Sequence, residues 1–169
     1  FPLSQIEFSQ FENYKQTTKN LEERLLYGCY PEVTHYESWK EKQEYLREIV
    51  NSYLLKDILI FDGIKNADKI YDLLRLIAFQ VGKEVSLQEL GNQLNLSKNT
   101  VEKYLDLLSK VFVIFKIEGF SRNLRKEITK SSRWYFYDNG IRNAIINNFN
   151  TLNNRTDIGD LWENYLASE

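Results

Sequence analysis

The stretch that most limits what this chain can fold into is residues 85–112, VSLQELGNQLNLSKNTVEKYLDLLSKVF, in which two apolar-periodic segments are separated by a tight polar turn. Ser86 followed by Glu89 makes a capping-box pattern, so a helix is expected to start there and to end at Leu94. Ser97 offers a second N-cap. After it Val101, Tyr104, Leu105 and Leu108 recur at helical spacing, the stripe of a helix that lies on a core. The outward positions near its start are Lys98, Asn99, Thr100 and Lys103, cationic and hydrogen-bonding groups of the kind that reach phosphates and base edges in a major groove.

The flanking residues fit one plan. Upstream, Ile70, Leu74, Ile77, Ala78 and Val81 form an apolar helix face, closed by Gly82 where a left-handed residue costs least. Downstream, residues 111–117 (VFVIFKI) are too β-branched and aromatic to continue a helix, and a polar run over 121–132 separates them from Trp134, Tyr135, Phe136 and Tyr137. Two strands joined by a basic loop make a wing. The predicted class is therefore mainly α with a small β wing, a helical platform followed by a winged helix-turn-helix. Residues 1–64 form the platform, 65–137 the winged helix, and 138–169 a helix and the start of a further, truncated domain. An ordinary small helical core with a hairpin would show the same pattern, and such folds also serve for protein contacts.

Charge narrows the choice of partner. The chain carries a formal net charge of -2, which argues against a uniformly basic surface. Residues 1–60 hold 7 Lys/Arg against 10 Asp/Glu, whereas residues 98–134 hold 9 against 4. The cationic excess falls on the second helix and the wing, where Arg122, Arg125, Lys126 and Lys130 join Lys98 and Lys103. Contact with duplex DNA would then be local and salt-dependent, with the wing cations on phosphates; a solvated charged face is the alternative.

Other classes find little support. With one cysteine, Cys29, and one histidine, His35, there is no disulfide and no Cys/His set for zinc, so no metal site and no catalytic residue is assigned. Glycines are scattered singly and form neither phosphate-binding motif, so no cofactor is expected in this chain. No apolar run is long enough to span a bilayer and no signal pattern opens the chain, so no membrane partner and a cytoplasmic setting are expected. The oligomeric state is not legible. The lack of methionine, the start on Phe1 and the stop within a helical pattern suggest a piece of something longer.

The remaining segments read as follows. Ser4 with Glu7 caps a first helix expected to bury Phe8 and Phe11, and a polar gap over residues 15–20 precedes a second short helix ending near Gly28. Gly28 and Pro31 turn the chain. A long helix then runs from about Ser38 through Leu46, Ile49, Val50 and Tyr53 to an end near Gly63. Asp138 can cap a helix through Ile145, an asparagine-rich loop follows, and a last helix places Leu161, Tyr165 and Trp162 inward.

Several of these motifs in order carry a resemblance: Pro2-Leu3-Ser4 with Glu7-Phe8; Gly28-Cys29-Tyr30-Pro31-Glu32; Tyr53-Leu54-Leu55-Lys56-Asp57-Ile58; the helix pair with Thr100-Val101 and Tyr104-Leu105; Tyr135 to Gly140; and Arg155 with Ile158-Gly159 and Glu163-Asn164. Together they resemble the C-terminal region of prokaryotic AAA-type ATPases, whose nucleotide-binding core is followed by a winged helix and a restriction-endonuclease-like domain. The resemblance implies that ATP and magnesium are bound by motifs upstream of Phe1, and that the ATPase core of the same chain is a partner. It also implies that Glu163 lies on the first helix of the nuclease-like fold, where a single glutamate assembles no metal site. The competing expectation is a regulatory docking module acting on the ATPase core.

Overall fold

The computed structural model describes residues 1–54, 67–118 and 132–169. The described part is mainly helical with one small antiparallel sheet. Four helices open the chain: α1 (Gln5–Phe8), α2 (Tyr14–Tyr27), α3 (Pro31–His35) and α4 (Trp39–Glu48), the last running into a wider π turn over Ile49–Leu54. Then come α5 (Ala67–Phe79), β1 (Glu84–Val85), α6 (Leu87–Leu94), α7 (Lys98–Lys110), β2 (Ile114–Ile117) and β3 (Ser132–Phe136). The chain closes with α8 (Asn139–Ile145), a 3-10 turn over Leu152–Asn154, and α9 (Ile158–Ser168).

β3 is the central strand, in the order β1-β3-β2. Ile114 stands opposite Phe136 and Lys116 opposite Trp134, while Glu84 pairs with Arg133 on the other side. The apolar stripes read from the sequence meet in one core: Ile70, Leu74 and Ile77 of α5, Leu90 and Leu94 of α6, and Val101, Leu105 and Leu108 of α7 are joined by Ile114, Phe136 and Ile141. Leu26, Val33, Leu46 and Val50 extend this core into α2, α3, α4 and the π turn after it. A smaller cluster of Phe8, Leu25, Cys29, Leu161 and Tyr165 ties α9 to the start of the chain.

Several local expectations change. The predicted gap over residues 15–20 is helical, because Asn13 and Gln16 cap each other reciprocally and start α2 at Tyr14; the polar residues are its solvent side. The helix capped by Ser4 is one turn long, so Phe8 is buried under the Arg24 guanidinium, 3.8 Å from the ring centroid, while Phe11 stays 84% exposed. Trp162 faces outward on α9. The predicted continuation of α4 to Gly63 and the wing loop, with Arg122, Arg125, Lys126 and Lys130, lie outside the described residues.

Candidate nucleic-acid interface

The connection between α6 and α7 is fixed by backbone geometry. Asn95 ends α6 in the left-handed region at φ 55°, and the Leu96 amide donates back to the Gly91 carbonyl at 2.9 Å. A Cβ on Gly91 would stand 2.6 Å from the Leu96 carbonyl oxygen, so the turn can close this tightly only over glycine. α7 then starts on Ser97, whose hydroxyl accepts from the Thr100 amide at 3.1 Å and lies 2.8 Å from the Thr100 hydroxyl. Val101, Tyr104, Leu105 and Leu108 are buried as the stripe required. Their burial turns Lys98, Asn99 and Lys103 to solvent, with Thr100 half-buried.

This solvent face is of mixed sign. Beyond the first turn it carries Glu102 and Asp106 as well as Lys103 and Lys110, and Asp106 and Lys110 pair at 2.6 Å. The chemistry available at the first turn is one ammonium, one carboxamide and one hydroxyl already engaged. These groups can meet phosphates and base edges.

A second group of polar residues is buried, and the sequence reading did not assemble it. Asp138 accepts from the Ile141 amide at 2.9 Å, as the N-cap of α8 should, and its other oxygen accepts from the Cys29 amide at 2.6 Å. Burial pushes its pKa up to about 6, against the lowering effect of the Cys29, Ile141 and Gly140 amides. The approach is close on both sides: a Cβ on Gly28, which sits at φ 77°, would stand 2.1 Å from an Asp138 oxygen, and one on Gly140 would stand 2.2 Å from the Tyr27 carbonyl oxygen. Burial, and after it the Asp138 charge, also push the Cys29 thiol up, so Cys29 is a packed apolar group and not a nucleophile.

Further along, Arg142 donates to the Ala78 carbonyl at the end of α5 and pairs with Asp157. Arg155 donates to both Asp157 oxygens, at 2.8 and 2.7 Å, and to Asn143, whose amide group donates to the Leu25 and Leu26 carbonyls. Burial would raise the Asp157 pKa, but the hydrogen bonds from Arg155 and Arg142 outweigh it and hold the carboxyl well below the usual carboxylate range. Asn164 of α9 both accepts from and donates to the Phe136 backbone, at 2.7 and 3.0 Å. The result is a polar clasp joining α2, α5, β3, α8 and α9.

Glu163 accepts from the Tyr135 hydroxyl at 2.8 Å and lies 3.8 Å from Arg133 on the surface. Among the described residues no group of three or more His, Cys, Asp or Glu could hold a metal ion, and no helix is long and apolar enough to cross a membrane. Of the aromatics that could mark a contact surface, Trp134 is buried, Tyr30 is half-buried and Trp39 is exposed. A cluster of rings lies elsewhere: Phe112, at φ 57° and 52% exposed, meets the exposed Phe1 edge-on at 4.9 Å and the half-buried Tyr137 at 6.0 Å.

The class defined so far is a mainly helical domain whose short three-stranded sheet brackets a pair of capped helices. Residues 18–152 match the domain of unknown function DUF8612, and the chain belongs to that family. It is similar to an uncharacterized protein of Haemophilus influenzae, 27% identical in an alignment of 155 positions that covers 86% of this chain and 38% of that protein. An uncharacterized protein of Methanocaldococcus jannaschii is 25% identical over 71% of the chain and 31% of its own length, and a second from that organism is 27% identical over 67% and 24%. The chain thus spans well under half the length of these relatives. No solved structure matches it.

Proposed function

We propose that α5 to β3 form a winged helix-turn-helix that binds duplex DNA through the first turn of α7. The observation that carries this reading is the orientation of that turn. The Gly91–Leu96 approach and the Ser97 cap hold Lys98 and Asn99 outward at the start of a helix whose other face is locked in the core. The element order, with a helix pair followed by two antiparallel strands, supports it, as does the cationic excess of residues 98–134. In this reading Arg122, Arg125, Lys126 and Lys130 meet phosphates, and the parent protein is an AAA-type ATPase whose ATP and magnesium sites lie in other parts of the longer chain.

The test is fluorescence anisotropy of a labelled random duplex titrated with the chain at low and at near-physiological salt. Binding should weaken steeply with salt, and Lys98→Ala and Arg125→Ala should each flatten the logarithmic salt slope by about 1, one phosphate contact apiece. No binding at low salt would refute the reading.

The second reading is protein docking, favoured by the exposed rings of Phe1 and Phe112 packed against the half-buried Tyr137. Under it the domain packs against the ATPase core, and loss of DNA binding in the titration would shift the assignment to it.

A further inference from the structure

We infer that Asn99 sets the sequence preference of the α7 surface by pairing with the major-groove edge of adenine. This rests on the duplex-DNA reading above and names the residue that would discriminate between bases. The argument begins with the acids. Glu102 and Asp106 are exposed on the same face as Lys98 and Asn99, one and two turns further along. Laid lengthwise in a groove, α7 would press both carboxylates toward phosphates, so the helix must enter by its first turn only.

At that turn three polar side chains compete for the bases, and the structure separates them. The Thr100 hydroxyl is held 2.8 Å from that of Ser97, and Thr100 is half-buried. Lys98 is a rotatable point charge that satisfies any acceptor, whether phosphate or base, and so discriminates weakly. Asn99 is exposed, and its carboxamide makes no hydrogen bond among the described residues. It presents a donor and an acceptor in one plane, the set that adenine N7 and N6 complement together. On α6, Gln88 and Asn92 are already bonded to each other at 3.0 Å.

The experiment is selection of the 169-residue chain on a randomised duplex library, followed by affinity measurements on the enriched duplex and on the same duplex with its enriched adenine exchanged for guanine. The unsubstituted chain should enrich sequences sharing an adenine, and the exchange should weaken binding on the order of tenfold or more. In Asn99→Ala that ratio should collapse toward one, and Lys98→Ala, a control that weakens both duplexes, should keep it. Binding without any shared adenine, or an unchanged ratio in Asn99→Ala, overturns the assignment while leaving DNA binding intact. Absence of binding by the unsubstituted chain overturns both.

Discussion

Asp138 is the residue whose perturbation is most sharply defined by the structure. Its carboxylate is buried, faces backbone amides of Cys29 and Ile141, and titrates near pH 6 in the folded chain against an ordinary value of 3.8. Between those values the folded state holds a proton that the unfolded state has released. Stability is therefore greatest below the lower value and is lost as pH rises through the upper one. For a shift of this size the linkage amounts to about 2 kcal/mol between about pH 4.5 and about pH 7.5. Asp138→Asn removes the titration. Its amide oxygen can still cap Ile141, but its NH2 group would face the Cys29 N–H, a loss on the order of 1–3 kcal/mol that does not vary with pH. Urea denaturation of both chains at the two pH values separates the terms. The gap between parent and variant should be about 2 kcal/mol wider at the acid value, because the Asp157 pair, which weakens as pH falls, is common to both chains. An equal gap at both pH values would refute the claim that burial of the Asp138 carboxylate outweighs its amide hydrogen bonds.

Two further substitutions test the clasp. Gly28→Ala must place a methyl group 2.1 Å from an Asp138 oxygen at a backbone angle of φ 77°, and should lower the denaturation free energy by about 3 kcal/mol or more; near-neutral behaviour in urea would show that Gly28 and Asp138 are not in contact. Asn164→Ala strips both partners from the Phe136 backbone in a buried setting and should cost about 2–4 kcal/mol, with hydrogen exchange at the Phe136 amide accelerating; protection equal to the parent's would place α9 elsewhere.

What the sequence made legible were features whose cause is local. The stripes of α5 and α7 and the caps at Ser86, Ser97 and Asp138 depend on residues within one or two turns of each other, and each is found where the pattern put it. α2 was misread because its first two turns are polar on every side, so apolar periodicity was silent; the Asn13–Gln16 box was the signal that could have found it. The expected burial of Phe11 failed because α1 stops after one turn. The clasp had no local signature. Asp138 and Cys29 are 109 residues apart, and an Asp before Asn-Gly reads only as an N-cap. For the α7 surface, residue types were legible, but only the fold shows that the Thr100 hydroxyl is engaged while Asn99 is free to bond.

Four residues of the motifs that carry the resemblance to AAA-type ATPases, Gly28, Gly140, Arg155 and Asn164, have a physical explanation that is independent of function. Gly28 and Gly140 are small because Asp138 and the Tyr27 carbonyl lie where their side chains would be. Arg155 is charged because it satisfies Asp157 and Asn143 in a buried site, and Asn164 completes the backbone of β3 from α9. Removing one member of such a set leaves a buried charge or amide without a partner, which costs more than the set contributes when whole. A chain that shares these residues therefore shares this packing of α2, β3, α8 and α9, whatever it binds. None of the hydrogen bonds that form the clasp involves Lys98 or Asn99, both of which are exposed, so under the proposed reading a substitution at either leaves every member of the clasp in place. Likeness in the clasp is thus an argument about architecture, and the DNA-binding proposal is tested separately, at the exposed first turn of α7.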